Sequence, residues 1–145
     1  MTPEELIAAA RAAARHAHAP YSRFAVGAAV LLTDGSVVTG ANVENASYGL
    51  SLCAETVAIA TTASQGRLAD VVAIGVVGGP MDGGGETPVS PCGRCRQVLN
   101  EAAQLGGRDL PIYCAGLTGD ALAEHRLSAL LPHAFGPADL GFGAV

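Results

Sequence analysis

The chain has 145 residues, of which 50% are hydrophobic and 14% are charged, and its formal net charge is −5. This length predicts a single domain, residues 1–145, with a complete hydrophobic core, and so few charges favour burial of some surface between subunits. The acidic balance excludes an ordinary nucleic-acid-binding surface, which needs clustered basic side chains to displace counterions from phosphates.

The start of the sequence predicts no targeting segment. Residues 2–5 are polar and acidic, whereas a secretory signal begins with a basic region followed by an apolar one. No run approaches the roughly 20 apolar residues that span a membrane. We therefore expect a cytoplasmic protein whose partners are neither membrane nor nucleic acid.

The first third of the chain predicts a helix followed by a β-hairpin. Thr2 and Glu5 have the spacing of a capping box, and the helix they begin is expected to end near His18. Residues 26–32 are rich in β-forming side chains. The Asp-Gly pair after them is a strong hairpin signal, which predicts a second strand at 37–39.

The rest of the chain alternates between helix and strand. The predicted elements are a helix from Cys53 to about Ser64, a central strand at 71–77, a helix from Pro91 to about Leu105 capped by Ser90, and a strand at 110–114. Residues 121–123 suit a short fifth strand, although their composition equally allows a helix. The glycines between residues 78 and 85 predict a flexible loop. This order predicts an α/β fold, a three-layer α/β/α sandwich with a mixed sheet of about five strands.

Three cysteines carry the chemical signal. Cys92 and Cys95 are three residues apart at the head of one predicted helix, and Cys53 is at the head of another. Unpaired N–H groups and the positive end of the helix dipole stabilise thiolates there. In a chain without a secretion signal, this pattern favours a metal over disulfides and predicts one zinc ion. The fourth cysteine, Cys114, is predicted to be a small buried side chain.

Three thiolates leave a tetrahedral zinc ion one ligand short. Structural zinc sites are closed by four protein ligands, whereas catalytic sites keep a position for water. Glu55 stands two residues after Cys53, where a carboxylate can move a proton of that water without being a ligand. Three cysteines with a non-ligand glutamate are a pattern of zinc deaminases. The alternative is a structural zinc module closed by Cys114 or a histidine, which would leave Glu55 without a purpose.

Several motifs together show a family resemblance. The chain resembles the small, homotetrameric, three-cysteine cytidine deaminases over nearly its whole length, at residues 20–24, 40–45, 52–55, 90–95 and 130–137. The resemblance implies one zinc ion per chain. It also implies an enzyme of pyrimidine salvage that hydrolyses cytidine and 2′-deoxycytidine to uridine and 2′-deoxyuridine, with release of ammonia.

The resemblance further implies how single residues act on the substrate. Glu55 would carry a proton from water to N3 of cytosine and a second proton to the leaving amine. The N–H of Ala54 would hold the pyrimidine O2, and the backbone carbonyl of Ser90 would accept a hydrogen bond from the amine. Asn42 and Glu44 would hold the ribose hydroxyls.

Two phenylalanines are candidates for enclosing the base. Phe24 and Phe135 offer apolar area without charge. In the family the second phenylalanine comes from a neighbouring subunit, so the resemblance implies a homotetramer that shares its active sites, with Tyr48 near the boundary. The alternative interpretation is that both phenylalanines simply fill the core.

The chain departs from the family at one position beside the site. Many members place an arginine after the catalytic glutamate, where it offsets the negative charge of three thiolates, but here the residue is Thr56. Arg94 and Arg96 are the candidates for compensation, and the sequence does not choose between them.

A second alternative keeps the chemistry and changes the substrate. Deaminases of the nucleoside antibiotic blasticidin S share the Cys-Ala-Glu motif and residues 90–95. Residues 42–45 favour cytidine. The family resemblance therefore predicts a cytidine deaminase, with an antibiotic nucleoside as the alternative substrate.

Overall fold

The computed structural model describes residues 1–142 of the chain. Apart from three short 3₁₀-helices, the regular structure of these residues consists of four α-helices and five strands. In chain order they are α1 (Pro3–Ala14), β1 (Phe24–Leu32), β2 (Val37–Ala41), α2 (Ala54–Ser64), β3 (Val71–Pro80), α3 (Gly93–Gly106), β4 (Pro111–Gly116), β5 (Leu122–Arg126) and α4 (Leu127–Leu130). Among residues 1–142, no helix has the length and apolar character needed to cross a bilayer.

The five strands form one mixed sheet in the order β2-β1-β3-β4-β5. The β3–β4 pair is parallel and the other three pairs are antiparallel. One core cluster joins α1 to the sheet, and a second joins α2 and α3 to the opposite face. The predicted three-layer sandwich is therefore confirmed, and β3 is the central strand as expected.

The N-terminal helix begins as predicted and ends earlier. The Thr2 hydroxyl accepts from the Glu5 N–H, and the Glu5 carboxylate accepts from the Thr2 N–H. The helix stops at Ala14, short of the predicted end near His18. His18 is extended instead, because its backbone N–H donates to Asn42 and its carbonyl accepts from Glu44. This backbone pairing fixes the segment that carries Asn42 and Glu44.

The glycine-rich stretch after residue 77 was predicted to be a loop, and its first part is strand. β3 continues to Pro80, and its last residues pair with the start of β1. A Cβ on Gly78 would lie 2.9 Å from the Val89 side chain and 3.1 Å from the Phe24 ring. Glycine here serves close packing rather than flexibility, since it makes room for two side chains above the sheet.

One edge of the sheet gathers the predicted site residues. Because β1 is antiparallel to both β2 and β3, its start lies beside the ends of those two strands. Phe24 begins β1, Asn42 follows β2, and the segment that leads to Cys92 follows β3. Helices α2 and α3 contact each other on one face, with their first residues near this edge.

Close packing against Gly40 sets the position of α2 and generates a prediction. An added Cβ there would lie 2.6 Å from the Ala54 carbonyl oxygen and 2.7 Å from the Ala58 nitrogen. Backbone cannot yield as a flexible side chain can, so Gly40→Ala should lower the free energy of unfolding by about 1–3 kcal/mol. Urea denaturation measures the effect.

The matched control is Gly49→Ala. A Cβ at Gly49 meets no atom within 4 Å, so this variant should unfold close to the wild-type midpoint. Equal stability of the two variants would show that the contact between Gly40 and α2 is unimportant.

Candidate active site

Three cysteine sulfurs lie together at the start of α2 and α3. The Sγ atoms of Cys53, Cys92 and Cys95 are all within 4.8 Å of one another, and Cys53 and Cys92 are 3.9 Å apart. Tetrahedral zinc with Zn–S bonds of about 2.3 Å requires sulfurs about 3.8 Å apart, so the cluster has the dimensions of a zinc site. Within residues 1–142 the cluster comprises these three ligand atoms, and Cys114 is buried elsewhere in the core.

Both helices have a cysteine as N-cap, so α2 begins one residue and α3 two residues after the predicted start. The predicted cap of α3 was Ser90, with Pro91 in the first turn. Cys92 is the N-cap instead, and its carbonyl accepts from the Arg96 N–H to close that turn. Its side chain makes no capping hydrogen bond. Cys53 is likewise the N-cap of α2. Cysteine residues thus occupy both N-cap positions, although neither side chain makes a capping hydrogen bond.

The surroundings of the three thiols raise the pKa of two of them and lower the pKa of the third. Burial raises the pKa of Cys53, and burial together with the nearby Glu55 carboxylate raises the pKa of Cys95. Burial also acts against ionisation of Cys92, but the nearby Cys95 N–H and the neighbouring sulfurs lower its pKa overall. Zinc ligation needs deprotonated sulfur, so a divalent cation is the counter-charge that this cluster requires.

Glu55 is a buried carboxyl beside the cluster. It is the second residue of α2 and is 3% exposed. Burial raises its pKa, although its own backbone N–H and the Cys95 sulfur act against that rise. None of the ion pairs found within residues 1–142 involves it. A carboxyl in such surroundings is suited to gaining and losing a proton during a reaction.

A cavity of about 270 Å³ opens beside Glu55, Cys53 and Cys92. Its lining includes the predicted residues Phe24, Asn42, Glu44 and Ser90. Sequence reasoning missed several further lining residues, namely Val26, Ser51, Leu52, Val76 and Val89. Of these residues, only Val26 could have been predicted from the sequence. It stands two residues after the candidate Phe24 on a strand, and side chains two apart on a strand share a face.

Ala54 is fully buried as the first residue of α2. The first N–H groups of a helix have no partner within it, so the Ala54 N–H is free of the helix's own hydrogen bonds.

Asn42 and Glu44 both hold the backbone around Phe24. The Asn42 amide accepts from the Val26 N–H at 2.9 Å and donates to the Phe24 carbonyl at 2.9 Å. One hydrogen of the amide nitrogen remains for a further acceptor. Glu44 Oε1 accepts from the N–H groups of Tyr21 and Ser22. The Ser22 hydroxyl and these backbone groups hold the pKa of Glu44 below its usual range, so the carboxylate is ionised.

The aromatic candidates separate into two groups. Phe24 lines the cavity, and Tyr48 lines an adjoining cavity of about 350 Å³ that shares Glu44 with it. The Tyr48 ring is 5.5 Å from that of Tyr21, a neighbour that sequence reasoning missed. Phe135 is 60% exposed and lines neither cavity. Its carbonyl accepts from the side-chain amides of Gln97 and Asn100 on α3.

Thr56, Arg94 and Arg96, which bear on how the negative charge of the three thiolates is offset, make different contacts. The Thr56 hydroxyl is 3.7 Å from Cys95 Sγ. The Arg96 guanidinium donates to the carbonyls of Pro91 and Leu130, and Arg94 is exposed. The contact of Thr56 with the cluster could not be anticipated, because it depends on how α2 and α3 are rotated against each other.

Comparisons with known proteins agree with this geometry. The family model for the cytidine and deoxycytidylate deaminase zinc-binding region matches residues 1–105. A curated cytidine deaminase from Halalkalibacterium halodurans is 49% identical over 140 residues, which cover 97% of this chain and 98% of that protein. Two crystal structures of cytidine deaminases are also similar. The Burkholderia pseudomallei enzyme superposes with a TM-score of 0.80 at 44% identity, covering 93% of this chain and 100% of that one.

The second structure is the Mycobacterium tuberculosis enzyme, with a TM-score of 0.73 at 44% identity over 94% of this chain and 98% of that one. The match to the family model covers well over half of the chain, and these relatives align along nearly all of it. The chain belongs to the zinc-binding cytidine and deoxycytidylate deaminase family.

Proposed function

We propose that this protein hydrolyses cytidine and 2′-deoxycytidine to uridine and 2′-deoxyuridine, with release of ammonia. The observation that carries the proposal is the cluster of three cysteine sulfurs with buried Glu55 beside it, at a cavity that also holds Asn42 and Glu44. Its relatives at 44–49% identity over nearly the whole chain bear the name cytidine deaminase.

Cys53, Cys92 and Cys95 are the proposed zinc ligands. A bound zinc ion would lower the pKa of a water molecule and so supply the nucleophile for C4 of cytosine. Glu55 takes one proton from that water and delivers it to N3. Glu55 then transfers the second proton to the amino group, the C4–N bond breaks, and ammonia leaves. The carbonyl oxygen of the product comes from water, and N3 keeps its proton.

Backbone groups and an aromatic ring orient the base. The Ala54 N–H, which the helix does not use, donates to the pyrimidine O2, and the Ser90 carbonyl accepts from the leaving amine. Phe24 covers one face of the base from the start of β1. These contacts hold C4 beside the cysteine cluster and Glu55, where proximity lowers the barrier to attack.

The sugar is held by the two polar side chains at the cavity edge. The remaining hydrogen of the Asn42 amide donates to a ribose oxygen. Glu44 uses Oε1 for the backbone, so Oε2 is the acceptor for a ribose hydroxyl. An ionised acceptor forms the stronger class of hydrogen bond, so Glu44 makes the larger contribution to nucleoside binding.

The charges in the cavity favour a nucleoside over a nucleotide. The family includes deaminases of deoxycytidylate, whose phosphate needs cationic partners. Among the described residues that line the two adjoining cavities, there is no lysine or arginine, and Glu44 is negative. An uncharged nucleoside avoids this repulsion. A nucleoside antibiotic of the blasticidin type remains the second candidate, since residues 90–95 are shared with its deaminases.

The active site is completed by a neighbouring subunit of a homotetramer. Support for this comes from Phe135 and Tyr48, which are 60% and 72% exposed in the single chain although both are large aromatic residues. Phe135 of an adjacent copy covers the open face of the base, and Tyr48 lies near the boundary. A reducing compartment, the cytoplasm, suits a site built from thiols.

The first test concerns reaction, metal and general base together. Purified protein should lower the ultraviolet absorbance of cytidine in a chelator-sensitive manner. Glu55→Gln should keep one zinc ion per chain and lose at least about a hundredfold in kcat, because an amide cannot carry the proton. The exposed α3 variant Glu101→Gln is the matched control and should keep wild-type kcat. Undiminished kcat in Glu55→Gln would refute its role.

A second test concerns the sugar. Glu44→Gln keeps an oxygen for the N–H groups of Tyr21 and Ser22 and turns an NH₂ donor toward the ribose hydroxyl. We expect kcat/KM for cytidine to fall about tenfold to a hundredfold, the worth of a charge-assisted hydrogen bond. Glu101→Gln makes the same chemical change at an exposed residue of α3 and should have little effect. Equal kcat/KM in both variants would remove Glu44 from the binding site.

A third test asks whether Phe135 acts between subunits. Phe135→Ala should lower kcat/KM by about tenfold to a hundredfold through lost stacking. Co-expression with Glu55→Gln should then restore activity, because hybrid sites combine an intact Glu55 from one chain with an intact Phe135 from another. Co-expression of Glu55→Gln with Cys92→Ser is the control, since both changes fall on the same chain's part of the site. Restoration in neither mixture would assign Phe135 to its own chain.

A further inference from the structure

The Thr56 hydroxyl makes a contact that the proposed reaction does not use. Thr56 is the third residue of α2, is partly buried, and has its Oγ1 atom 3.7 Å from Cys95 Sγ. A thiolate has no hydrogen to donate, so in the metal-binding state the hydroxyl is the donor. The contact joins α2 to a ligand of α3.

Other threonines of the same helix behave differently. Thr61 and Thr62 donate to the carbonyls of Val57 and Ala58, four residues earlier, at 2.8 Å each. This is the usual bond of a threonine within a helix. The residue four before Thr56 is Leu52, which lies outside α2, and the hydroxyl points to sulfur instead. The placement of Thr56 at the helix start thus frees its hydroxyl for the cluster.

The negative charge of the cysteine cluster explains why a hydrogen bond from Thr56 would matter. Three thiolates on a divalent cation leave a net charge of −1, and the Glu55 carboxyl lies beside them. The ion pairs formed within residues 1–142 are those of Arg67, remote in sequence from the cysteines. Arg96 donates to two backbone carbonyls, and Arg94 is exposed. In the described part of the chain, the hydrogen-bond donors available to stabilise the negatively charged sulfurs are therefore neutral groups.

We propose that Thr56 is a positioning residue for the zinc ion, whose hydroxyl donates to the Cys95 thiolate and limits the electron density that this sulfur gives to the metal. The inference rests on the proposed ligand role of the three cysteines. A hydrogen bond to a ligand sulfur keeps the metal more electrophilic, and electrophilicity at the metal is what the hydrolysis needs. The hydrogen bond from Thr56 stabilises the negative charge on the Cys95 sulfur, as a cationic side chain at this position would do through its charge.

Three variants separate this role from general packing. Thr56→Val removes the hydroxyl and keeps the shape, Thr56→Ser keeps the hydroxyl, and Thr61→Val removes a hydroxyl of the same helix that binds a backbone carbonyl. Each is purified with zinc and also with cobalt(II) in its place. The readouts are the thiolate-to-cobalt charge-transfer band, metal content per chain, and kcat and KM for cytidine.

For Thr56→Val we expect one metal ion per chain, a charge-transfer band at longer wavelength, and kcat lowered roughly tenfold with KM nearly unchanged. Thr56→Ser and Thr61→Val should match the wild type in all three. An unshifted band in Thr56→Val, or a Thr56→Ser band shifted as in Thr56→Val, would overturn the proposal. If Thr56→Val does not fold, the band of Thr56→Ala decides in the same way.

The outcome is separable from that of the proposed function. A wild-type protein that binds metal but leaves cytidine unchanged would refute the reaction, and the cobalt band would still report on Thr56. Normal wild-type deamination with an unshifted band in Thr56→Val would refute only the role of Thr56.

Discussion

The structure depends on bringing several acidic groups to one point. Three thiol sulfurs lie within 4.8 Å of one another with a buried carboxyl beside them, and like charges at that distance repel strongly in a low-dielectric interior. The chain meets this with two helix N-termini, because Cys53 and Cys92 are the N-caps of α2 and α3. Their unpaired N–H groups and positive dipole ends face the sulfurs. The two helices must therefore lie on the same face of the sheet and begin at the same edge.

Small residues make this convergence possible. Gly40 on β2 lets the backbone of α2 approach the sheet at Ala54 and Ala58, and both alanines are fully buried. On the opposite face Gly27 does the same for α1, where an added Cβ would lie 2.7 Å from the Ala14 nitrogen. Because aromatic residues are 4% of the sequence, the core is filled mainly by alanine, valine, leucine and isoleucine. Because α1 and α2 pack so closely against the sheet, Gly27 and Gly40 leave little room for a larger side chain.

The sequence predicted the features that depend on local pattern. Alternation of helix and strand predicted the layers, and the Asp-Gly pair predicted the β1–β2 hairpin. The predicted start of α3 is two residues early, because Ser90 and Pro91 are residue types that favour a helix start, whereas the N-cap is Cys92 and makes no side-chain capping bond. The contact of Thr56 with Cys95 depends on how two helices meet, which no local pattern encodes. Phe135 was named from its motif, but its surroundings in one chain do not include the cavity.

The polar groups at the cavity link stability to the proposed binding. Asn42 bridges the backbone of Phe24 and Val26, and Glu44 bridges that of Tyr21 and Ser22. Each side chain thus fixes the segment that carries Phe24 before any ligand arrives, and each has one polar atom or hydrogen left for a sugar. Groups held in this way lose little freedom on binding, so more of each hydrogen bond contributes to affinity. The same arrangement makes Asn42 sensitive to change, because its removal would leave a partly buried N–H of Val26 and the carbonyl of Phe24 without this partner.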